Sequence, residues 1–193
     1  MQIRRKCWSL LNQDNLSFVI IIVKPILLLL LASFFLSTPL LAYETMFEKT
    51  SVGEIKILTL PERMALEATS TVSYFQSDNG LFRKLFRFIS KNDVAMTTPV
   101  EADVNPGKMR FFVGAKDRTK NISSTPDVVV RNLAPLQVLA IGIRGSYSKN
   151  RFMQNNAKLS QWLDKNSKYE QVGDAYAVYW DGPFTLGFFK RSE

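Results

Sequence analysis

Beyond residue 42, stretches in which apolar and polar residues alternate give way to a period of three to four, and the exchange happens twice. In Ile55-Lys56-Ile57-Leu58-Thr59-Leu60 the alternation sets Ile55, Ile57 and Thr59 on one strand face, and Pro61 ends the strand. Met64–Val72 resumes the extended pattern, and the short link between the two predicts an antiparallel pair. Asp78-Asn79-Gly80 is a turn able to cap a helix over Leu81–Ser90. At about 100° per residue, Leu81, Phe82, Leu85, Phe86, Phe88 and Ile89 fill an arc of about 160°, with Arg83, Lys84 and Arg87 opposite. After a turn at Asn105-Pro106-Gly107 come strands at 109–113 and 127–131, then the longest extended run, Leu136–Tyr147. Gly142 and Gly145 inside that run predict a bulge or the close approach of another segment. A second helix, 150–166, carries Phe152, Leu159, Leu163 and Trp162 on a narrow stripe that reads as structural. A strand at 175–180, a turn at Asp181-Gly182-Pro183 and an apolar segment at 184–190 complete the pattern.

Met64–Tyr74 and Gln137–Tyr147 are both extended runs ending in Ser-Tyr, each followed by a helix and two strands. Two βαββ-like halves predict an α+β domain, an antiparallel sheet curved into a distorted barrel with two helices outside.

Between the first helix and the next strand runs Lys91-Asn92-Asp93-Val94-Ala95-Met96-Thr97-Thr98-Pro99-Val100. The Asn-Asp pair suits a chain reversal, Val94-Ala95-Met96 a short buried strand, and the Thr-Thr-Pro step stays extended because the residue before proline avoids the helical region. Val94 to Val100, preceded by a basic aromatic helix, resembles the signature of the SOUL haem-binding protein family, and the resemblance runs from about Tyr43 to the C-terminus. It implies the same barrel, a groove walled by the first helix, and a basic partner for a haem propionate at the position of Arg87. The family tends to carry a Tyr-Asx-Pro-Pro turn and an Arg-Arg-Asn-Glu run at the groove mouth. Here the corresponding residues are Tyr179-Trp180-Asp181-Gly182-Pro183 and Lys190-Arg191-Ser192-Glu193.

A flat apolar molecule bearing carboxylates, as haem and other tetrapyrroles are, suits a helix edge of Phe82 and Phe86 beside Arg83 and Arg87, since guanidinium pairs with carboxylate in a bidentate way. Trp180 and Phe184 can stack on such a plane. The chain has no histidine, and its one cysteine is Cys7, so a Cys/His metal site and any His-dependent catalytic pair are excluded. Iron ligation would fall to methionine or tyrosine, with Met96, Met64, Tyr74 and Tyr179 the candidates by type. Without one, the ring would be held by apolar contact and propionate pairing, a mode suited to reversible carriage or buffering.

Residues 1–42 differ in kind. Arg4-Arg5-Lys6 precedes an apolar run from Ile26 to Leu36 and a small-residue end at Ala42, as in a signal peptide cleaved after Ala42. The rival is an uncleaved anchor over 16–41, interrupted by Lys24. Both put the domain at 43–193 outside the cytosol, periplasmic or extracellular, and the anchor would add membrane association. Of the net charge of +8, Arg4, Arg5, Lys6 and Lys24 against Asp14 supply +3 and residues 43–193 the remaining +5. That excess favours acidic partners, with no nucleic-acid motif to focus it. Three functions fit these residues: an exported tetrapyrrole-binding protein, a protein- or lipid-binding module using the same groove, and a small-molecule enzyme. No carboxylate pair placed by spacing supports the enzyme.

Overall fold

Strand order makes the duplication visible. The computed structural model describes residues 43–76, 80–182 and 185–193; the leader or anchor at 1–42, Asp78, Asn79 and Phe184 lie outside the described residues. Eleven strands are present among the described residues: β1 (Glu44–Thr45), β2 (Ile55–Leu60), β3 (Arg63–Thr69), β4 (Thr97–Thr98), β5 (Val100–Asp103), β6 (Lys108–Phe112), β7 (Val129–Leu133), β8 (Leu136–Ile141), β9 (Ile143–Arg144), β10 (Tyr176–Tyr179) and β11 (Arg191–Ser192). The α-helices among the described residues are α1 (Leu81–Lys91) and α2 (Lys149–Asp164). The main sheet has seven strands in the order β7-β3-β6-β5-β10-β11-β9, all neighbours antiparallel. From β3 to β9 this reads the same from either end: first, third and second strand of one half, then second, third and first of the other.

The β5–β10 pairing, Val100 with Tyr179 and Asp103 with Tyr176, sits at the centre of that palindrome. A second ribbon, β2–β8, obeys the same rule, matching Ile55 with Ile141 and Leu60 with Leu136. The two Ser-Tyr ends also meet. Tyr74 stacks on Tyr179 at 5.7 Å between ring centroids and Tyr147 lies 4.2 Å away on it, so one ring from each repeat packs on the same third ring.

Several expectations need correction. The described strands form one seven-stranded sheet and two two-stranded ones, with no closed barrel among them. β2 and β3 do not pair with each other: β2 joins β8, and β3 lies between β6 and β7. The link Pro61-Glu62 offers no residue suited to the positive φ of a tight hairpin turn, so the chain runs on. Extended structure in the signature begins at Thr97, where β4 pairs in parallel with β1, and not at Val94. Asp93 takes a left-handed φ of 51° to reverse the chain, which turns Val94 inward under α1. Gly142 breaks the long run into β8 and β9 because Ser51 approaches so closely that a Cβ there would strike its carbonyl oxygen.

One sheet face packs on α1. Leu66, Ala68, Ala102, Met109, Phe111 and Ala177 join Leu81, Leu85, Phe88 and Ile89 in a continuous core, all nearly solvent-free. Alternation sends their neighbours to the other face, where charges are paired in register. Glu67, Arg110 and Glu101 are direct cross-strand partners. Arg110 donates to both oxygens of Asp103 at 2.9 and 2.7 Å and to Glu67 at 3.0 Å, while Arg63 donates to Glu101 at 2.8 Å. Burial pushes the Glu101 carboxyl upward, against the pull of Arg63 and Arg110.

Candidate functional site

α1 begins at Gly80, whose φ of 64° suits glycine, and its sequence segregates side chains by angle. Leu81, Leu85, Phe88 and Ile89 are the buried set. Phe82 and Phe86, at the border of the apolar arc, remain 42% and 51% exposed. Being four residues apart, they lie one above the other: their rings are 5.9 Å apart and within 11° of parallel, and Phe82 also meets Phe111 edge-on at 5.4 Å. Farther round the helix come Arg83 and Arg87, both exposed. Lys84 is pulled the other way by Asp127 at 3.1 Å. The result is a two-ring aromatic step with a two-arginine step beside it, both facing solvent.

The remaining predicted residues do not gather there. Met96 is half-buried and packs against the core cluster. Tyr179 lies in that core, and desolvation is the main force raising its phenol and those of Tyr74 and Tyr147, the last to about 12. A tyrosine that resists ionisation is a poor source of phenolate for iron. Trp180 is buried on the opposite sheet face, edge-on to Phe47 at 5.3 Å, and its Nε1 donates to the Glu193 carboxylate at 3.1 Å. Thus the structure brings together Phe82, Phe86, Arg83 and Arg87, and separates Met96, Tyr179 and Trp180 from them. The flat apolar surface and the adjacent cations fit a tetrapyrrole plane and its propionates; the donor set offers no evident axial ligand. Among the described residues, no group of three carboxylates or cysteines is arranged to hold a metal ion.

The signature supports this helix from behind. Val94 N–H donates to the carbonyl of Ile89 at 3.0 Å, and the Ala95 N–H donates to Asp117 at 2.7 Å. Lys120 reaches Asp117 at 2.9 Å and Asp93 at 3.2 Å, and Thr97 Oγ1 donates to the Phe112 carbonyl at 2.7 Å. The Ala95 hydrogen bond, then Lys120, holds the Asp117 carboxyl below its ordinary value. Asp117 and Lys120, in the segment between β6 and β7, are therefore what fixes the signature. Acidic and basic residues three apart were the available signal.

On α2 the sequence missed more. Between α2 and the β2–β8 ribbon lies a cleft of about 410 Å³, and beside it an open trough of about 550 Å³ lined by Arg144, Arg151, Lys158 and Lys165. The signal was present as the seven-residue spacing of Arg151, Lys158 and Lys165.

The fold has solved counterparts. EcmrR within a DNA complex aligns with a TM-score of 0.56 at 16% identity over 72% of this chain, which spans 55% of that one. The C-terminal domain of EcmrR aligns with a TM-score of 0.50 at 14% identity, over 72% of this chain and 93% of that domain. Such identities speak for the fold alone. No curated protein matches the sequence significantly. Among family models, that of the SOUL heme-binding protein matches residues 40–193, which span the whole α+β unit, α1 and the signature behind it, and the chain therefore belongs to the SOUL haem-binding family.

Proposed function

We propose that this chain is an exported, histidine-independent tetrapyrrole-binding protein that carries or buffers haem reversibly. The observation that carries the reading is the solvent-facing pair Phe82 and Phe86, stacked within 11° of parallel beside Arg83 and Arg87. Exposed aromatic area of this kind is costly to leave in water unless something covers it. A tetrapyrrole laid on the pair would bury one apolar face, and the arginines would take its propionates through charge-assisted hydrogen bonds. When bound, haem would supply an iron centre; these four residues would supply only its seat and orientation. Membership of a haem-binding family supports the ligand class, and the basic-apolar-small pattern of residues 1–42 supports export.

The test is a haem titration of the full chain, read by the Soret band, beside an Arg83→Ala/Arg87→Ala variant. Saturable one-to-one binding that weakens by about tenfold or more in the variant is expected, on the scale of one lost hydrogen bond to a charged group. Absence of saturation, or equal affinity in both proteins, would remove the proposal.

A further inference from the structure

The cleft under α2 is a different kind of site from the α1 surface. Its walls, among them Ile57, Leu60, Val138, Ala140, Leu159 and Leu163, are apolar. At one end it adjoins the trough, with which it shares Ile141 and Trp162, and the trough's lining carries four cations and no carboxylate. The cleft's own lining holds Glu170, Asp174 and Glu193 and no cation. The cations therefore line the trough, and the carboxylates line the cleft.

The cationic end is built rather than incidental. Arg151, Lys158 and Lys165 recur every seven residues, about 10.5 Å apart along one side of the helix. The buried Asn155 amide donates to the Arg151 carbonyl at 2.8 Å, and its oxygen accepts from Lys158 Nζ at 3.1 Å, so a polar residue inside the fold aims the lysine. The Arg151 guanidinium is held by the Arg144 carbonyl, and Ser148 caps the helix start by accepting from the Arg151 N–H at 3.3 Å. Four cations lining one trough with no carboxylate among them favour an anion there.

We propose that this groove is a second ligand site, taking a small anionic amphiphile: one carboxylate or phosphate head between Lys158 and Lys165, which flank Trp162 on the helix, and an unbranched apolar body running past Trp162 into the cleft against Leu159 and Leu163. The carboxylates of the cleft fix the polarity, because an anionic head inside the cleft would meet like charge. A volume of about 410 Å³ is within the range of small-molecule sites.

The experiment titrates the full chain, below micelle-forming concentrations, with dodecanoate, dodecyl phosphate and dodecyltrimethylammonium, following tryptophan fluorescence and assigning the signal with Trp162→Phe. The partner variant is Lys158→Gln/Lys165→Gln, two exposed side chains whose replacement leaves the core intact. Either or both anions should bind saturably at one-to-one, at least about tenfold tighter than the cation and about tenfold weaker in the variant. Which of the two binds separates carboxylate from phosphate recognition. Equal binding of anions and cation, no saturable binding of either anion, or affinity unchanged in the variant would overturn the proposal. Haem binding should be the same in wild type and in Lys158→Gln/Lys165→Gln. Its loss there would make the groove the tetrapyrrole site and overturn the claim of a second one, whereas loss only in Arg83→Ala/Arg87→Ala leaves the two sites distinct.

Discussion

α1 and α2 occupy equivalent places in the two halves and even close alike, on an asparagine whose amide donates to the carbonyl four residues back: Asn92 to Phe88 at 2.8 Å, Asn166 to Trp162 at 2.7 Å. Beyond that they diverge. Four residues of α1 are buried in an apolar core, whereas the one buried residue of α2 is Asn155. The strands beneath differ too, since β3 and β6 match five residue pairs and β9 and β11 only two. After α1 the chain is tied down at once through Ala95, Asp117 and Lys120; after α2 it leaves through exposed residues 170–174, with Val172 93% exposed. A duplicated fold can place its packing in one half and leave the other open. In this molecule the firmly packed helix turns its aromatic and arginine side chains outward, and the loosely packed one leaves a cleft beneath it.

The largest test of that contrast lies in the charge network of the first half. Arg63→Met or Glu101→Leu alone should cost about 3–5 kcal/mol in urea unfolding, since either strands a buried charge, and the double variant should cost much less than the sum. Mild single effects would mean that the first half is not the stable one. Next in size are matched leucines. Leu85→Ala opens a cavity in a closed core and should cost about 2–5 kcal/mol, whereas Leu163→Ala merely widens an existing cleft and should cost about half as much. Equal losses would erase the distinction between the helices.

The smallest effect concerns the signature. Because the folded Asp117 carboxyl lies below its ordinary value, its contribution is present above the unfolded value of about 4 and is lost as pH falls through the lower folded one. Asp117→Asn should cost at most about 1 kcal/mol at pH 7, Lys120 being partly in solvent, and the gap to wild type should close as the pH falls through the folded carboxyl's lowered range. A gap that persists at acid pH would assign the effect to packing rather than charge.

How legible was this in the sequence? α1 was read almost to the residue, because a period near 3.6 with six large apolar side chains admits one buried face, and the border positions Phe82 and Phe86 fell where the arc predicted. Gly142 and the two Ser-Tyr ends were also readable, since each reports a local steric or repeated constraint. Strand pairing was not. Pro61-Glu62 looks like a hairpin link until its backbone requirements are considered, and nothing local tells β2 that its partner is β8. The inward-looking Tyr179 and Trp180 neighbour each other in sequence but occupy opposite sheet faces, so no single groove can use both from the same side. The narrow apolar stripe of α2 is plain in its sequence, whereas its row of cations acquires meaning only against the trough that β8 and β9 form beside it.

The β2–β8 ribbon carries a consequence for how the chain is made. Leu60 waits for Leu136, and Ile55 for Ile141, so during synthesis from the N-terminus the ladder of β2 has no native partner until the whole first half and the opening strand of the second have emerged. Long-range closure of this kind slows folding, because chain entropy is lost before any contact rewards it. Until then the ribosome-bound chain presents an open apolar edge with Ile55, Ile57 and Leu58 on it, an interval in which a chaperone has something definite to shield.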